Sequence, residues 1–179
     1  MLFLGRSDEL FAKGQDILID IWPKVVSLVP KAKLLFVGGG SQLDKLRELA
    51  RVSPAATQIE VLGFLSEAEI EHVWRRASAF ALLGNAEGFG LVCIEAMRHR
   101  LPIIASLDDA AHEINLHGIT GWNICRSDRE ELVDRIALVL KDQDLARMYG
   151  EAALARWKEY FCFSAFERSF KAAVSPWLG

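Results

Sequence analysis

Apolar residues fall in short unbroken runs, separated by longer stretches in which they recur every three or four positions. Unbroken rather than alternating runs mark strands buried on both faces, as in a parallel sheet. Strands are expected at Leu2–Leu4, Lys33–Val37, Ile59–Leu62, Ala79–Leu83, Pro102–Ala105 and Trp122–Cys125. Between them, Ile17, Leu18, Ile21, Trp22, Val25 and Val26 form a helical stripe, with a kink or a new turn expected at Pro23. A helix begins near Ser41, with Asp44 at a capping-box spacing. Ser66–Glu69 and Ser127–Glu130 read as capping boxes ahead of two apolar faces, Ile70, Val73, Trp74 and Ala77, then Leu132, Ile136, Val139 and Leu140. Leu91–Arg98 can be helical but must stop before Leu101, because Pro102 disfavours the α conformation there and has no N–H to donate. Asp144–Tyr160 and Ser164–Val174 close the chain as helices expected to pack through Leu145, Met148, Leu154, Trp157, Phe166 and Phe170. Ser7–Gly14 reads as a mostly polar loop. Strands alternating with helices give an α/β fold, a doubly wound parallel sheet, in a single domain over residues 1–179.

Composition narrows the function. An apolar fraction of 51% over 179 residues suits a buried parallel sheet. Lys and Arg number 21 against 24 Asp and Glu, a net charge of −3 with no basic block, so nucleic acid is not an expected partner. Cys93, Cys125 and Cys162 are widely spaced and lack zinc-site spacing, which points to a reducing compartment. No run reaches the roughly 18 apolar residues of a membrane span. Met1–Gly5 is too short for a signal segment. The expectation is a soluble cytoplasmic protein.

In such sheets ligands sit at the carboxyl ends of the strands, and three loops converge there: Gly5–Gly14, Gly38–Ser41 and Asn85–Gly90. Gly88, Phe89 and Gly90 join a buried strand to a helix start at Leu91, where outward-pointing amides and the helix dipole favour an anion. Glu95 lies about one turn past Leu91 and can lean toward the same edge, where a carboxylate accepts hydrogen bonds from paired hydroxyls. Taken alone it is equally a solvated helix residue. Arg6 and Lys13 flank the first loop and together can neutralise a diphosphate; alone, they read as surface cations. Gly38 and Gly39 either make room for a ligand or shape a turn. Leu43 stands where a G-x-G-x-x-G motif needs its third glycine, although Glu60 falls at the spacing of a ribose-binding acid. His72, His99, His112 and His117 show no ligand spacing with carboxylates; His112 and Glu113 follow the fifth strand and can border the cleft. Neither a G-x-S-x-G elbow nor a P-loop lysine is present. Glu87 and Glu95 are eight residues apart, about 12 Å of helix. Paired hydrolytic carboxylates sit roughly 5 to 9.5 Å apart, so the two acids are expected to contact different parts of one ligand.

The stretch Glu87-Gly-Phe-Gly-Leu-Val-Cys-Ile-Glu95-Ala-Met resembles the E-x7-E signature of the group 1 (family 4) retaining glycosyltransferases with the GT-B fold. Gly5-Arg6 and Lys13-Gly14 resemble that family's G-R and K-G pair, Val37-Gly-Gly-Gly its V-G-x-G loop, and Leu62-Gly63-Phe64 its L-G-x turn. Gly118–Gly121 and Phe161–Phe166 also fit. Two features depart from the pattern: a longer loop between Arg6 and Lys13, and Asp109-Ala110-Ala111-His112-Glu113 where the family has G-G-x-x-E. The resemblance implies a Rossmann-like C-terminal half of a GT-B fold that binds a nucleotide-diphosphate sugar, with the N-terminal acceptor domain absent from this chain. It implies catalytic roles for Glu87, Arg6 and Lys13, with Arg6 and Lys13 on the donor diphosphate and Glu87 on sugar hydroxyls. Donor binding falls to Gly38, Gly39, Gly88, Phe89, Gly90, Leu91 and Glu95, with Glu95 on the ribose. The implied reaction is transfer of the sugar to an acceptor hydroxyl with retained configuration, without cofactor or metal. The implied partners are a UDP-, GDP- or ADP-sugar and, through the missing domain, an acceptor glycan, lipid or small molecule. Any peripheral membrane contact would also be made by that domain. Alone, this chain is expected to bind donor but transfer little. The alternatives are a GT-B-type sugar-nucleotide epimerase and a non-catalytic nucleotide-binding module, with a dinucleotide-binding oxidoreductase the weakest.

Overall fold

A computed structural model of the chain describes all residues other than Glu9, Ala86, Glu87, Asp109, Leu178 and Gly179, and their side chains other than those of Leu10, Phe11 and Pro176. The apolar runs form β1 (Leu2–Leu4), β2 (Leu34–Val37), β3 (Ile59–Gly63), β4 (Phe80–Leu82), β5 (Ile103–Ser106) and β6 (Gly121–Ile124). They pair in parallel in the order β3-β2-β1-β4-β5-β6. The chain winds outward from β1 through β2 to β3, then restarts at β4 on the other side. A crevice therefore opens at the carboxyl ends of β1 and β4, where connections leave in opposite directions. The sixth strand lies one residue earlier than the apolar run suggests.

The helices are α1 (Leu10–Lys13), α2 (Gln15–Leu28), α3 (Leu43–Val52), α4 (Glu67–Arg76), α5 (Leu91–Arg98), α6 (Ala111–Ile114), α7 (Arg129–Lys141), α8 (Gln143–Arg156) and α9 (Phe163–Val174). Phe3, Phe36 and Phe80 are buried, each contributing about 2–3 kcal/mol by leaving water. On the helices the core is completed by Trp22, Leu46, Met97 and Ile136.

Several local expectations need correction. Helix α2 runs through Pro23 as one element. The proline leaves the Ile19 carbonyl without its helical donor, a cost of about 3 kcal/mol. Burial of Ile17, Leu18, Ile21, Trp22 and Val25 on one face outweighs it. The Ser7–Gly14 loop contains the short helix α1. Helix α3 is capped by Gln42 with no side-chain bond, because the Ser41 N–H is taken by the Asp8 carboxylate at 2.8 Å. At α7 the cap is Asp128, which accepts from the Glu131 N–H at 2.9 Å, rather than Ser127. The Ser66–Glu69 box does form: the Ser66 N–H and hydroxyl donate to the Glu69 carboxylate at 2.8 and 2.6 Å. Helix α5 ends as expected, in a Schellman turn. There the Leu101 N–H reaches the Ala96 carbonyl and the Arg100 N–H the Met97 carbonyl, both at 3.1 Å, with Arg100 left-handed at φ 55°.

The closing segment differs most. Helix α8 stops at Arg156 and continues as a π turn over Trp157–Phe161 before α9. Phe166 and Phe170, expected in the core, are 60% and 55% exposed and stack on each other at 5.9 Å. Met148 is exposed too. In α9, Ala165 is the one buried position among the described side chains, so the helix lies along the surface with its aromatic residues outward.

Candidate functional site at the carboxyl edge of the sheet

Beyond the ends of β1 and β2 the two chains stay bonded. The Gly5 N–H donates to the Val37 carbonyl and the Ser7 N–H to the Gly39 carbonyl, both at 3.0 Å, and the Gln42 N–H returns to the Ser7 carbonyl at 2.8 Å. A register shift between Phe36 and Val37 brings the Gly38 N–H to the Gly63 carbonyl at 2.8 Å. This close approach needs glycine at 38, where φ is 126° and a Cβ would lie 2.1 Å from the Gly5 carbonyl oxygen. Gly39 is different: a Cβ there would meet the Phe64 Cβ at 3.7 Å and nothing closer. Two of the three consecutive glycines, Gly38 and Gly40, thus serve loop packing, whereas Gly39 has room for a side chain in ordinary contact with Phe64.

The first loop is also tied to the fourth strand. The Asn85 N–H donates to the Ala12 carbonyl at 2.9 Å. Gly14, left-handed at φ 78°, packs so closely on Leu83 that a Cβ would stand 2.5 Å from its carbonyl oxygen. Lys13 is thereby drawn against Gly5, the residue before Arg6: its Cδ lies 3.5 Å from where a Gly5 side chain would begin. Arg6 is exposed, and its Nε bonds the Asp8 carboxylate at 2.6 Å. That bond pulls the Asp8 carboxyl below its ordinary pKa, helped by the Ser41 amide, and holds the guanidinium charged. Arg6, Gly38, Gly39, Gly40, Phe64 and Leu65 wall a cavity of about 420 Å³, with Phe64 83% exposed.

Gly90 caps α5 in the left-handed conformation, φ 81°. Its neighbours Gly88 and Phe89 are exposed. The Cys93 N–H turns back to the Gly90 carbonyl at 2.9 Å, while the amides before it have no acceptor within the helix and carry the positive end of its dipole. Glu95, one turn along, is exposed and makes no hydrogen bond or ion pair with a described residue. Its surroundings nevertheless strip enough water to push its pKa above the ordinary 4.5, with Arg98 opposing. A carboxylate so placed gains from any hydroxyl donor that reaches it. Glu87, the other acid of the pair, lies outside the described residues.

The structure therefore brings Arg6, Lys13, Gly38, Gly39, Gly88, Phe89, Gly90, Leu91 and Glu95 to one edge. Glu60 goes elsewhere: it starts β3 near the amino edge and is paired with Lys33 at 2.7 Å. That removes the ribose acid from the dinucleotide reading. A cavity of about 430 Å³ beside Lys33 and Glu60 opens at this amino edge, away from the loops.

Sequence reasoning missed three features of the site. Phe64 entered only as part of a turn. Helix α6 and the buried network behind it gave no periodic signal. In that network Asn115 donates to the Ile103 and Trp122 carbonyls at 3.2 Å and to the Asn123 side chain at 2.8 Å, while Thr120 donates to Asn115 at 2.7 Å. The third is Arg156, whose Nε and Nη2 donate to the Ile114 and Glu113 carbonyls at 2.8 and 3.0 Å.

A doubly wound sheet with cations, the amino end of a helix and, among the described residues, an unpartnered carboxylate at its switch point is a Rossmann-like domain whose carboxyl edge suits an anionic, hydroxylated ligand. The chain belongs to the glycosyl transferases group 1, whose family model matches residues 1–156. It is 31% identical over 157 residues to a GDP-mannose-dependent alpha-(1-6)-phosphatidylinositol monomannoside mannosyltransferase of Mycobacterium tuberculosis, covering 82% of this chain and 41% of that protein. The chain thus spans less than half of that relative's length. Among solved structures it resembles Anabaena HepE in complex with UDP-glucose, with a TM-score of 0.81 and 23% identity over 98% of this chain and 48% of that one. It also resembles the C-terminal domain of a glycosyl transferase group 1 family protein, LpcC, from Francisella tularensis. There the TM-score is 0.79 and the identity 21%, over 90% of this chain and 86% of that one. The fold is that of the C-terminal half of GT-B glycosyltransferases. Among the described residues no helix is long and apolar enough to cross a membrane.

Proposed function

We propose that this chain is the donor-binding domain of a retaining glycosyltransferase and that it holds a nucleotide-diphosphate sugar across the β1–β4 crevice. The observation that carries the reading is the convergence on one sheet edge of Arg6, Lys13, the amino end of α5 and Glu95, whose carboxylate is unpartnered among the described residues. The diphosphate lies between the two cations and the Gly88–Leu91 amides, and Glu95 accepts the ribose hydroxyls. The base enters the cavity floored by Gly39, with Phe64 as its stacking face. Glu87 takes hydroxyls of the sugar, as the family resemblance suggests.

In the transfer, the bond from the anomeric carbon to the diphosphate oxygen breaks and one to the acceptor oxygen forms, with the acceptor's proton released. Negative charge grows on the leaving diphosphate, so preformed cations and amides at that position lower the barrier. The reading needs no metal. The acceptor is held by a further domain that pairs with this one, and the three cysteines, joined by no disulfide among the described residues, suit the reducing cytoplasm in which we place the protein. A relative named for GDP-mannose and a neighbour solved with UDP-glucose support a UDP-, GDP- or ADP-sugar as donor. Calorimetric titration of the chain with a panel of such sugars tests the proposal. Saturable binding of at least one is expected, and no binding across the panel sinks it.

A further inference from the structure

Arg156 lies at the end of α8 yet reaches carbonyls 42 and 43 residues earlier. Helix α6 is a single turn, so its last carbonyls have no donors of their own. The Arg156 guanidinium supplies them. It is fixed in turn by two rings, Tyr160 at 5.1 Å and Phe161 at 5.5 Å. Both rings come from the π turn, closed by the Cys162 N–H on the Trp157 carbonyl at 2.9 Å.

Helix α6 is what the anion-binding end of α5 rests on. A side chain at Gly90 would begin 3.5 Å from the Ile114 Cδ1 and 3.6 Å from Ala111. On its other side α6 is anchored by the Asn115–Asn123 network. We propose that Arg156 is a positioning residue for diphosphate binding: it locks α6 against Gly90 and so sets the direction of the free amides at the start of α5. Arg156 lines, together with Gly88 and Phe89, a cavity of about 520 Å³, but its Nε and Nη2 are already bound to the Ile114 and Glu113 carbonyls, so the role assigned to it is packing rather than contact with ligand.

The inference rests on the donor-binding reading, and the experiment separates the two. The ratio of affinities for a nucleoside diphosphate and its parent nucleoside, UDP against uridine and GDP against guanosine, isolates the phosphate contribution. In Arg156→Gln this ratio is expected to fall about tenfold, as for substitutions along a packed coupling network. Nucleoside affinity should hold, which also shows that the variant folds. Arg156→Lys, which keeps the charge but cannot bridge both carbonyls, should recover only part. The loss should persist as salt is raised, because it is geometric rather than a screened charge contact. An unchanged ratio with a lowered melting temperature would overturn the proposal in favour of a purely structural role. Full recovery in Arg156→Lys, or a loss that disappears in salt, would overturn it in favour of direct contact. A wild-type chain that binds the diphosphate no better than the nucleoside would overturn both this inference and the donor-binding reading.

Discussion

Glu95 is exposed on a helix, its carboxylate has no hydrogen-bond or ion-pair partner among the described residues, and yet its pKa is shifted upward by desolvation, with Arg98 opposing. Because the folded-state pKa is raised, its contribution to stability is fully present below the ordinary value of 4.5 and is lost as pH rises through the shifted one. Hydroxyl donors favour the ionised form, so ligand binding pulls the pKa back down and releases a proton. Nucleotide affinity should therefore rise with pH through the shifted pKa, and titrations in buffers of different ionisation heat should detect the released proton. Glu95→Ala should weaken nucleoside diphosphate binding by about 2 kcal/mol, the value of a hydrogen bond to a charged acceptor, and abolish the pH dependence. An unchanged pH profile in that variant would show that another group titrates. Phe64 and Arg156 show why single residues escape a sequence reading. One looks like an ordinary turn residue and the other like a surface cation until the fold supplies their neighbours.

The loops that build the crevice are held by backbone bonds, and glycine identity at each position has a distinct cause. At Gly38 the cause is the Gly5 carbonyl, so Gly38→Ala should lower unfolding stability by about 3 kcal/mol, combining left-handed strain with overlap. A Cβ at Gly39 would make only an ordinary contact with Phe64 at 3.7 Å, and the residue has no positive φ. Gly39→Ala should therefore change stability by no more than about 0.5 kcal/mol. If the ligand does approach there, the added methyl should cost about 1–3 kcal/mol of nucleotide affinity. Chemical denaturation together with calorimetry on the two variants checks both statements. A destabilised Gly39→Ala would mean that this loop is structural throughout. Strands and long helices were legible because buried parallel strands are unbroken apolar runs and Pro102 marks a clear stop. The shorter pieces were not. Helix α6 is one turn of a polar segment, and Asn115 and Thr120 look like loop residues although both are buried. The carboxyl-edge loops could be located from turn glycines alone, but their bonding to one another depends on a register shift that no local pattern reveals.

For the protein as a whole, the donor edge and the outer aromatic face of α9 are features of different kinds. Phe166 and Phe170 lie on a segment legible as a helix, and packing them inward was the natural expectation. The π turn at Trp157–Phe161 instead directs α9 along the surface. The amino-edge cavity near Lys33 and Glu60 is comparable in volume to the one at Phe64, so size alone does not choose between the two ends of the sheet. Topology and chemistry do: the free helix amides, Arg6, Lys13 and Glu95 all lie at the carboxyl edge. The most direct test is a crystal structure of the chain with the nucleoside diphosphate of its best-binding sugar donor. The account predicts phosphates against the Gly88–Leu91 amides between Arg6 and Lys13, the ribose on Glu95, and the base beside Phe64. A nucleotide bound at the amino edge beside Lys33, or with its phosphates turned away from α5, would contradict it.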